Sequence, residues 1–203
     1  ILRAMKIAVY GGTFNPIHNA HIHLASEFSR RVGFDKVILI PANIPPHKRV
    51  GDLADGADRL AMCRLAAQEY GFEVSDIELR RQGPSYTADT LEELHRVYPE
   101  DTLYLITGED MFLTLLQWRR PLDIMKLAVI CAAPRSSEGM PRLAAYAQEL
   151  EKQGGRTVLE NVEYLPVSST MVRGAVKRRE SIGGLVPAAV AEYIHQHHLY
   201  EGR

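Results

Sequence analysis

The sequence predicts an α/β fold in which a single doubly wound parallel sheet carries helices on both faces. The first observation is that short apolar runs alternate with longer amphipathic stretches along the 203 residues, which is the pattern of consecutive βαβ units. The second is that several apolar runs are continuous rather than alternating, as expected of strands covered on both faces. The third is that 46% hydrophobic and 24% charged residues are typical of one globular domain.

The individual elements follow in order from these patterns. Six aliphatic or β-branched runs are predicted as strands: Lys6–Tyr10, Lys36–Ile40, Phe72–Val74, Thr102–Thr107, Leu127–Ala132 and Val162–Leu165. Five stretches with apolar residues at helical spacing are predicted as helices: Ala20–Arg31, Asp58–Tyr70, Ala88–Tyr98, Arg142–Gln153 and Pro187–His197. With right-handed crossovers, this alternation predicts one Rossmann-like domain spanning residues 1–203. Because Met5 opens the first strand, we expect the four residues before it to be a vector-derived or upstream remnant.

Charge and cysteine content exclude some classes of function. The 24 basic and 25 acidic side chains give a net charge of -1, whereas a nucleic-acid partner would require a basic excess. Cys63 and Cys131 lie far apart in apolar surroundings and are predicted to be buried thiols of a reducing, cytoplasmic compartment. No apolar run approaches the length of a membrane span, so we expect no membrane partner. The sequence leaves monomer and homodimer open.

The most informative segment is GGTFNPIHNAH, which directly follows the first predicted strand. Gly11 and Gly12 allow a sharp turn and a close approach of the backbone to a ligand, and Thr13 adds a hydroxyl and an amide. His18 and His21 lie three residues apart where the next helix begins, and the amides of such a helix start attract anions. The alternative is a plain turn with two surface histidines. Two histidines in register with the helix start favour a phosphate site.

Two further segments offer positive charge. Ser168, Ser169 and Thr170 precede Arg173 by one helical turn, which predicts a second anion site, although serine and threonine at a helix start are also ordinary caps. Lys48 lies in the proline-rich loop PPHK, where stiff prolines could carry its charge to a phosphate. The alternative for that loop is a solvated turn.

A third group of residues suits an aromatic ring that carries a carboxylate. Ser85, Tyr86 and Thr87 lead into a predicted helix, whose amides can hold a carboxylate, although Ser85 or Thr87 could simply cap it. Trp118, the only tryptophan, offers a flat face for stacking, although a tryptophan beside leucines is more often a core residue. Asp110 follows the fourth strand and could accept hydrogen bonds from ribose hydroxyls or stabilise the next helix start.

The histidines near the C-terminus have a different interpretation. His195, His197 and His198 are predicted to mark a helix end, where cationic side chains favour the helix dipole, rather than a zinc site.

Taken together, these segments resemble the nucleotidyltransferase superfamily that has an HxGH motif, and the wider pattern resembles bacterial nicotinate-mononucleotide adenylyltransferases. The resemblance extends from Lys6 to Tyr200, and the Ser-Tyr-Thr and Trp118 elements point to the nicotinate enzymes rather than to the superfamily alone. Enzymes of that family join ATP and nicotinate mononucleotide into deamido-NAD in NAD biosynthesis and release pyrophosphate, with Mg²⁺ on the phosphates. One departure is Ala20, where the family has glycine, and we expect activity to survive the added methyl group.

The resemblance implies roles for the residues named above. The catalytic residues would be His18, His21, Lys48 and Arg173. ATP would be held by these two histidines and Arg173 together with Gly11, Gly12, Thr13, Phe14, Ser168, Ser169 and Thr170. The mononucleotide would contact Ser85, Tyr86, Thr87, Asp110 and Trp118, and no metal ion would be bound by the protein itself.

Three alternative functions stay open at this point. An adenylyltransferase for phosphopantetheine shares the first-turn signature but needs neither an aromatic platform nor a carboxylate site. An adenylyltransferase for nicotinamide mononucleotide differs only in carboxamide against carboxylate. A non-catalytic nucleotide sensor on the same fold would have no use for His18, His21 and Arg173 together.

Overall fold

The computed structural model describes residues 3–44 and 51–202. Its six strands are β1 (Lys6–Gly12), β2 (Lys36–Pro41), β3 (Glu73–Val74), β4 (Thr102–Gly108), β5 (Ala128–Ala133) and β6 (Thr157–Leu159). They form one sheet in the order β3-β2-β1-β4-β5-β6, and the β1–β4, β4–β5 and β5–β6 pairs are parallel. The reversal of strand order between β1 and β4 is the doubly wound arrangement, which confirms the predicted α/β fold.

Eight α-helices are found in the described residues. They are α1 (Asn19–Phe28), α2 (Gly56–Tyr70), α3 (Thr87–Val97), α4 (Glu109–Phe112), α5 (Pro121–Leu127), α6 (Gly139–Lys152), α7 (Ser169–Lys177) and α8 (Ala188–Gln196). A π-helical turn, Ser29–Gly33, follows α1, and a 3₁₀ turn, Leu115–Gln117, precedes α5. All five predicted helices are present, with ends that differ by up to three residues.

The last predicted strand is wrong. Residues 162–165 belong to no strand, and the sheet instead ends with β6, whose residues Thr157 and Leu159 lie opposite Ile130 and Ala132 of β5. Helix α6 ends at Lys152, and Gly154 then turns the chain with a φ of +89°. Because this left-handed turn returns the backbone to the sheet at once, pairing starts before the apolar run that attracted the prediction.

Three helices were not among those predicted from periodicity. Helices α4, α5 and α7 contain four, seven and nine residues, and the first two are too short for a hydrophobic repeat to stand out. Two of these helix starts were anticipated from their residues, that of α7 from its serine and threonine residues and that of α4 from Asp110.

The burial of the central strands confirms that their continuous apolar runs form strands covered on both faces. All six residues of β5 are buried, as are four consecutive residues of β1. Cys63 and Cys131 are buried free thiols, and burial raises the pKa of each to about 12. Among the described residues, no helix has both the length and the apolar character needed to cross a membrane.

The chain divides into two compact units. The first unit comprises Ile1–Tyr10, Leu24–Ile38 and Tyr86–Tyr164, and the second comprises Gly11–His23, Leu39–Ser85 and Leu165–Arg203. The second unit holds the glycine-rich turn and α7, and the first holds Trp118 and Asp110. A single domain for the whole chain stays a prediction.

Candidate active site

The turn after β1 is held in a fixed backbone shape within the second unit. The carbonyl oxygen of Gly12 accepts a hydrogen bond from the amide of Ala42 at 2.8 Å. Phe14 has a φ of +50° and is only 2% exposed as a whole residue. A positive φ is strained for an aromatic residue, so the surrounding packing imposes this conformation. The whole residue is almost completely buried, and the predicted contact of Phe14 with ATP stays a prediction.

The side chains of the two histidines of the signature cap the start of helix α1. The amide of His18 donates to Nδ1 of His21 at 3.1 Å, and the amide of Ala20 donates to Nδ1 of His18 at 3.2 Å. The first bond is that of a capping box, whereas in the second the His18 side chain accepts from the second helical residue. The rings stack with their centroids 3.6 Å apart, and Phe14 packs edge-on against His21 at 4.9 Å.

These contacts fix the charge and the tautomer of both rings. Burial lowers the pKa of His18 to about 4, and burial together with the neighbouring His18 lowers the pKa of His21 well below its usual value. Both imidazoles are therefore neutral at neutral pH. Because each Nδ1 accepts a hydrogen bond, the proton of each ring is on Nε2. The pair consequently offers two N–H donors rather than two positive charges.

Three amides at the start of α1 already have acceptors within the protein. The amides of His18 and Ala20 donate to the imidazoles, and the amide of Asn19 donates to the carbonyl oxygen of Leu185 at 2.9 Å. The prediction assumed that the amides at the start of α1 are open to a ligand, whereas the two imidazoles accept hydrogen bonds from two of them. Phosphate binding at this turn stays a prediction.

The two glycines are not required by packing within the protein. Neither has a positive φ. A Cβ added to Gly11 would lie 3.8 Å from the carbonyl oxygen of Ile40, and one added to Gly12 would lie 3.5 Å from the ring of Phe14, which are ordinary contacts. Their predicted purpose, close approach of a ligand, stays a prediction.

Helix α7 brings Arg173 to the same turn. Its Nη1 donates to the carbonyl oxygen of Asn15 at 2.8 Å, and Ser169 Oγ donates to the carbonyl oxygen of Pro16 at 2.9 Å. Ser168 caps the helix by accepting from the amide of Met171. Thr170 accepts from Arg173 at 3.4 Å. The hydroxyls of Ser168 and Ser169 are thus already engaged, so these residues can offer a phosphate mainly the backbone amides of the helix start.

Two buried residues that hold the turn were not predicted as site residues. Arg59 is 2% exposed and donates to the carbonyl oxygens of Thr13 and Ala42, each at 2.8 Å. Asn15 is 6% exposed, and its Oδ1 accepts from the amide of Ala54 and from the hydroxyl of Tyr200. The sequence did carry a signal for Arg59, because it lies one turn before Met62 on the buried face of α2. An arginine on an apolar helix face needs internal acceptors.

The start of α3 differs from its prediction. Neither Ser85 nor Thr87 caps the helix, because the cap position is Tyr86, which makes no side-chain cap bond. Ser85 Oγ instead accepts from the amide of Asn43 at 3.0 Å within the second unit. The guanidinium of Arg119 lies 4.4 Å from the centre of the Tyr86 ring within the first unit.

Trp118 is not a core residue. Its side chain is partly exposed, and Nε1 donates to Thr114 Oγ1 at 3.1 Å. The neighbouring Leu115 is fully buried instead. Because the indole N–H already has an acceptor, the ring is held in one orientation with part of its surface accessible, as a stacking platform requires.

The two acidic residues that follow β4 differ in exposure and in their partners. Asp110 is exposed and pairs with Arg135 at 2.5 Å, whereas Glu109 is 5% exposed and lies 3.6 Å from Arg142. Asp110 is the second residue of α4, so it also lies where a negative charge stabilises a helix start.

The remaining predictions concern Lys48, a bound metal ion and the histidines near the C-terminus. Lys48 and the rest of the PPHK segment lie outside the described residues. Within residues 3–44 and 51–202, no group of three or more histidine, cysteine or acidic side chains is arranged to hold a metal ion. His195 lies in the last turn of α8, His197 stacks on Tyr193 and His198 pairs with Glu201.

Comparison with known proteins gives a consistent set of relatives. The family model described as cytidylyltransferase-like matches residues 9–175. The "Probable nicotinate-nucleotide adenylyltransferase" of Dehalococcoides mccartyi strain CBDB1 is 39% identical over 199 residues, covering 97% of this chain and 98% of that protein. The protein of the same name from Carboxydothermus hydrogenoformans is 36% identical over 197 residues, covering 96% and 98%. Among solved structures, the Plasmodium falciparum nicotinic acid mononucleotide adenylyltransferase complexed with NaAD superimposes with a TM-score of 0.78 at 18% identity, covering 98% of both chains.

Proposed function

The chain belongs to the cytidylyltransferase-like family, and from this membership we propose that it transfers the adenylyl group of ATP to nicotinate mononucleotide. The products are deamido-NAD and pyrophosphate, and the reaction belongs to NAD biosynthesis. The relatives named for this activity match almost the whole chain.

The observation that carries the proposal is the set of donors around the turn after β1. His18 and His21 each have a proton on Nε2, and the guanidinium of Arg173 is anchored to the backbone of Asn15. A triphosphate needs N–H donors and positive charge in a fixed arrangement. We assign ATP to this turn and to the start of α7.

The chemistry requires little beyond positioning and electrostatics. The phosphate monoester of the mononucleotide has a second pKa of about 6, so its oxygen is anionic at neutral pH and needs no general base. That oxygen attacks the α-phosphorus of ATP in line with the departing pyrophosphate. Positioning of the two anions supplies roughly 7–11 kcal/mol of the barrier reduction. Neutral imidazoles suit this task, because donors stabilise growing negative charge without fixing a proton on the leaving group.

The donors at this turn indicate how a divalent metal ion would bind. The side chains there are imidazoles and a guanidinium, whereas Mg²⁺ prefers oxygen ligands. We therefore infer that Mg²⁺ enters on the phosphate oxygens of ATP and neutralises their charge, while the protein supplies N–H donors. Lys48, outside the described residues, would add a point charge to the same phosphates.

The mononucleotide is assigned to residues of the first unit. Trp118 presents an oriented, partly exposed indole, and the amides at the start of α3 around Thr87 can receive a carboxylate. We assign Asp110 to the ribose hydroxyls. Two buried free cysteines favour a reducing compartment, so we place the enzyme in the cytoplasm.

The test is a pyrophosphate-release assay with ATP, Mg²⁺ and a panel of acceptors. The proposal requires release with nicotinate mononucleotide and a lower kcat/KM with nicotinamide mononucleotide. Release only with phosphopantetheine, or no release with any acceptor despite ATP binding, would overturn it. Replacing Mg²⁺ with EDTA must abolish turnover and be reversed by added Mg²⁺.

A further inference from the structure

The segment that carries Trp118 is tied to helix α3 by the arginine two residues later. Arg120 Nη1 donates to Asp89 Oδ1 at 3.0 Å, and Nη2 of the same guanidinium pairs with Glu92. These two carboxylates lie in the first and second turns of α3. The third nitrogen, Nε, donates to Asp123 Oδ2 in α5 at 2.9 Å. One planar guanidinium therefore joins three elements of the first unit.

The backbone of Arg120 has a conformation that its sequence disfavours. Its φ of +55° and ψ of +54° lie in the left-handed region, which is costly for a residue with a side chain. It also precedes Pro121, and a proline pushes the residue before it towards an extended backbone. The Arg120 carbonyl oxygen accepts from the amides of Asp123 and Ile124, each at 3.1 Å. Because such strain persists only where the surroundings impose it, these contacts and the three ion pairs set the course of the chain after Trp118.

Trp118 thus lies between two fixed points. On one side its amide donates to the carbonyl oxygen of Leu115 at 3.0 Å, and Leu115 is fully buried. On the other side is Arg120 with its ion pairs to α3. A second link to α3 comes from Arg119, whose guanidinium lies 4.4 Å from the centre of the ring of Tyr86, the cap residue of that helix. The indole is therefore held at a set distance from the start of α3.

The contribution of this network is geometric rather than a large gain in stability. The Arg120 side chain is 35% exposed and its three carboxylate partners are 37–49% exposed, and ion pairs at such exposure add little to the free energy of unfolding. Three pairs on one rigid fork do fix directions, however, because the nitrogens of a guanidinium cannot move independently. What they fix is the spacing between Trp118 and α3.

We propose that Arg120 is a positioning residue for nicotinate mononucleotide. It holds Trp118 and the start of α3 at the spacing that lets the pyridine ring stack on the indole while its carboxylate meets the amides around Thr87. This role rests on the proposed function, which assigns the ring and the carboxylate to these two places. Because all three nitrogens of Arg120 are engaged with carboxylates, its effect on the substrate passes through Trp118 and α3.

The experiment compares Arg120→Met, which keeps a long apolar stem, with Arg120→Lys, which keeps the charge but not the planar fork. At saturating ATP, we expect kcat/KM for nicotinate mononucleotide to fall about 10-fold in Arg120→Met, the order expected from a weakened ring contact and carboxylate contact. The value for nicotinamide mononucleotide should fall less, because that substrate uses the ring contact alone. Arg120→Lys should lie between Arg120→Met and wild type. The Kd of ATP, measured by calorimetry, should change less than about two-fold, since ATP is assigned to the second unit.

A spectroscopic measurement tests the positioning without any substrate. Trp118 is the only tryptophan, so intrinsic fluorescence reports on this segment alone. Arg120→Met should lower the fluorescence anisotropy and increase quenching by acrylamide. The matched control is Arg31→Met, because Arg31 also pairs with two carboxylates of the first unit, Glu27 at 3.4 Å and Glu160 at 3.5 Å. That control should leave both the fluorescence and kcat/KM unchanged.

A double variant shows whether the effect passes through the indole. In a Trp118→Ala background, Arg120→Met should change kcat/KM for nicotinate mononucleotide by less than about two-fold, because the spacing to an absent ring has no effect. Losses that simply multiply would show that the two residues act independently.

The outcomes distinguish this role from the proposed function. Wild-type protein that releases no pyrophosphate with nicotinate mononucleotide would refute the proposed function, while the fluorescence would still show whether Arg120 orients Trp118. Active wild type together with an Arg120→Met variant of unchanged kcat/KM or unchanged anisotropy would refute the positioning role. So would an equal loss for both mononucleotides, full activity in Arg120→Lys, or a loss that Arg31→Met reproduces.

Discussion

At the scale of single residues, the histidine pair shows how neighbours decide a charge. Two imidazoles beside a phosphate site suggest two cations, yet each ring accepts an amide hydrogen at Nδ1 and is too buried to gain a second proton at neutral pH. The positive charge that we assign to this site therefore comes from Arg173 and from the Mg²⁺ ion that we infer on the ATP phosphates. The histidines act as donors of fixed direction.

The first prediction concerns His21, whose Nε2–H we assign to the transition state. His21→Ala should lower kcat by about 10²–10³, the usual effect of losing one preorganised donor, with a smaller loss of stability from the missing cap on His18. Steady-state kinetics and circular dichroism test this, with the exposed His95→Ala as the matched change. A His21→Ala variant that keeps more than half of the wild-type kcat would contradict the role.

The second prediction follows from the pKa of His18, lowered to about 4 from 6.5 by burial. As the pH falls from 6.5, the unfolded chain takes up a proton at this residue and the folded protein does not, so the free energy of unfolding decreases until about pH 4. Between pH 8 and pH 5 this single group costs roughly 2 kcal/mol. His18→Gln cannot titrate, and urea unfolding should show a smaller pH dependence by about that amount. Identical slopes for both proteins would refute the burial argument.

The sequence predicted the residues of this turn but not the contacts behind it. His18, His21 and Arg173 stand in recognisable spacing, and α7 does bring Arg173 to Asn15. Arg59 lies in helix α2, in a stretch that matches no functional motif. Its three carbonyl partners come from segments that are brought together only in the folded chain. Burial of an arginine was inferable from the helical period, whereas its acceptors were not.

At the scale of elements, the starts of α7 and α3 carry the two substrate assignments. Helix α7 is capped by Ser168 and presents Arg173 one turn later, while α3 begins at Thr87 without a side-chain cap. An uncapped start leaves amides available to a ligand carboxylate.

For α7 we expect Arg173→Ala to weaken ATP binding and leave the mononucleotide nearly unaffected. A charge-assisted hydrogen bond is worth about 1.5–3 kcal/mol, which corresponds to a change in Kd of roughly 10- to 150-fold. Calorimetry with a non-hydrolysable ATP analogue measures it. Arg178→Ala, which removes an exposed arginine paired with Glu180 at the end of the same helix, is the control. Unaltered ATP binding in Arg173→Ala would remove the triphosphate from this helix.

For α3 the sharper test is Thr87→Pro. Proline is tolerated at the first position of a helix and removes only its amide hydrogen, and Tyr86 already has the extended backbone that precedes proline. We expect kcat/KM for nicotinate mononucleotide to fall while that for the nicotinamide form changes little, with Thr87→Ala as the control that keeps the amide.

Trp118→Ala should behave differently, because stacking does not depend on the carboxylate. Both mononucleotides should lose affinity by similar factors, as expected from loss of a ring contact worth about 0.5–1.5 kcal/mol. A loss confined to the acid form would contradict the stacking role.

The strand at the end of the sheet shows the limit of pattern analysis for elements. The run at residues 162–165 is as apolar as a strand should be, yet pairing with β5 is made by Thr157–Leu159. The turn after α6 determines which segment pairs with β5, because Gly154 reverses the chain just before Thr157. Local composition cannot tell which of two neighbouring extended segments reaches the sheet first.

At the scale of the whole molecule, strand order was predictable in kind but not in detail. Alternation of strands and helices favours a parallel sheet covered by helices, and the observed order 3-2-1-4-5-6 is the common arrangement of the doubly wound type. Conversely, nothing in the sequence indicated that Tyr200 would reach the turn after β1. Its hydroxyl donates to Asn15 Oδ1 at 2.7 Å across 185 positions of sequence.

The hydrogen bond between Tyr200 and Asn15 leads to the last prediction. Burial raises the pKa of Tyr200, so its hydroxyl stays protonated as a donor. Tyr200→Phe removes that donor from a buried acceptor and should lower the free energy of unfolding by about 1 kcal/mol, measured by urea denaturation. The double variant with Asn15→Ala should lose less than the sum of the two single changes, and strict additivity would show that the bond contributes nothing.

The positions of these donors in the sequence also determine when the contacts of the turn can form during synthesis. Synthesis produces Gly11 to His21 before Arg59, then Ser169 and Arg173, and Tyr200 after them. A nascent chain on the ribosome therefore carries the signature of the site before the groups that shape it have been made. Because these groups come from distant parts of the sequence, their contacts are late and slow to form. Interrupted translation products would consequently hold the motif yet be poor at capturing ATP.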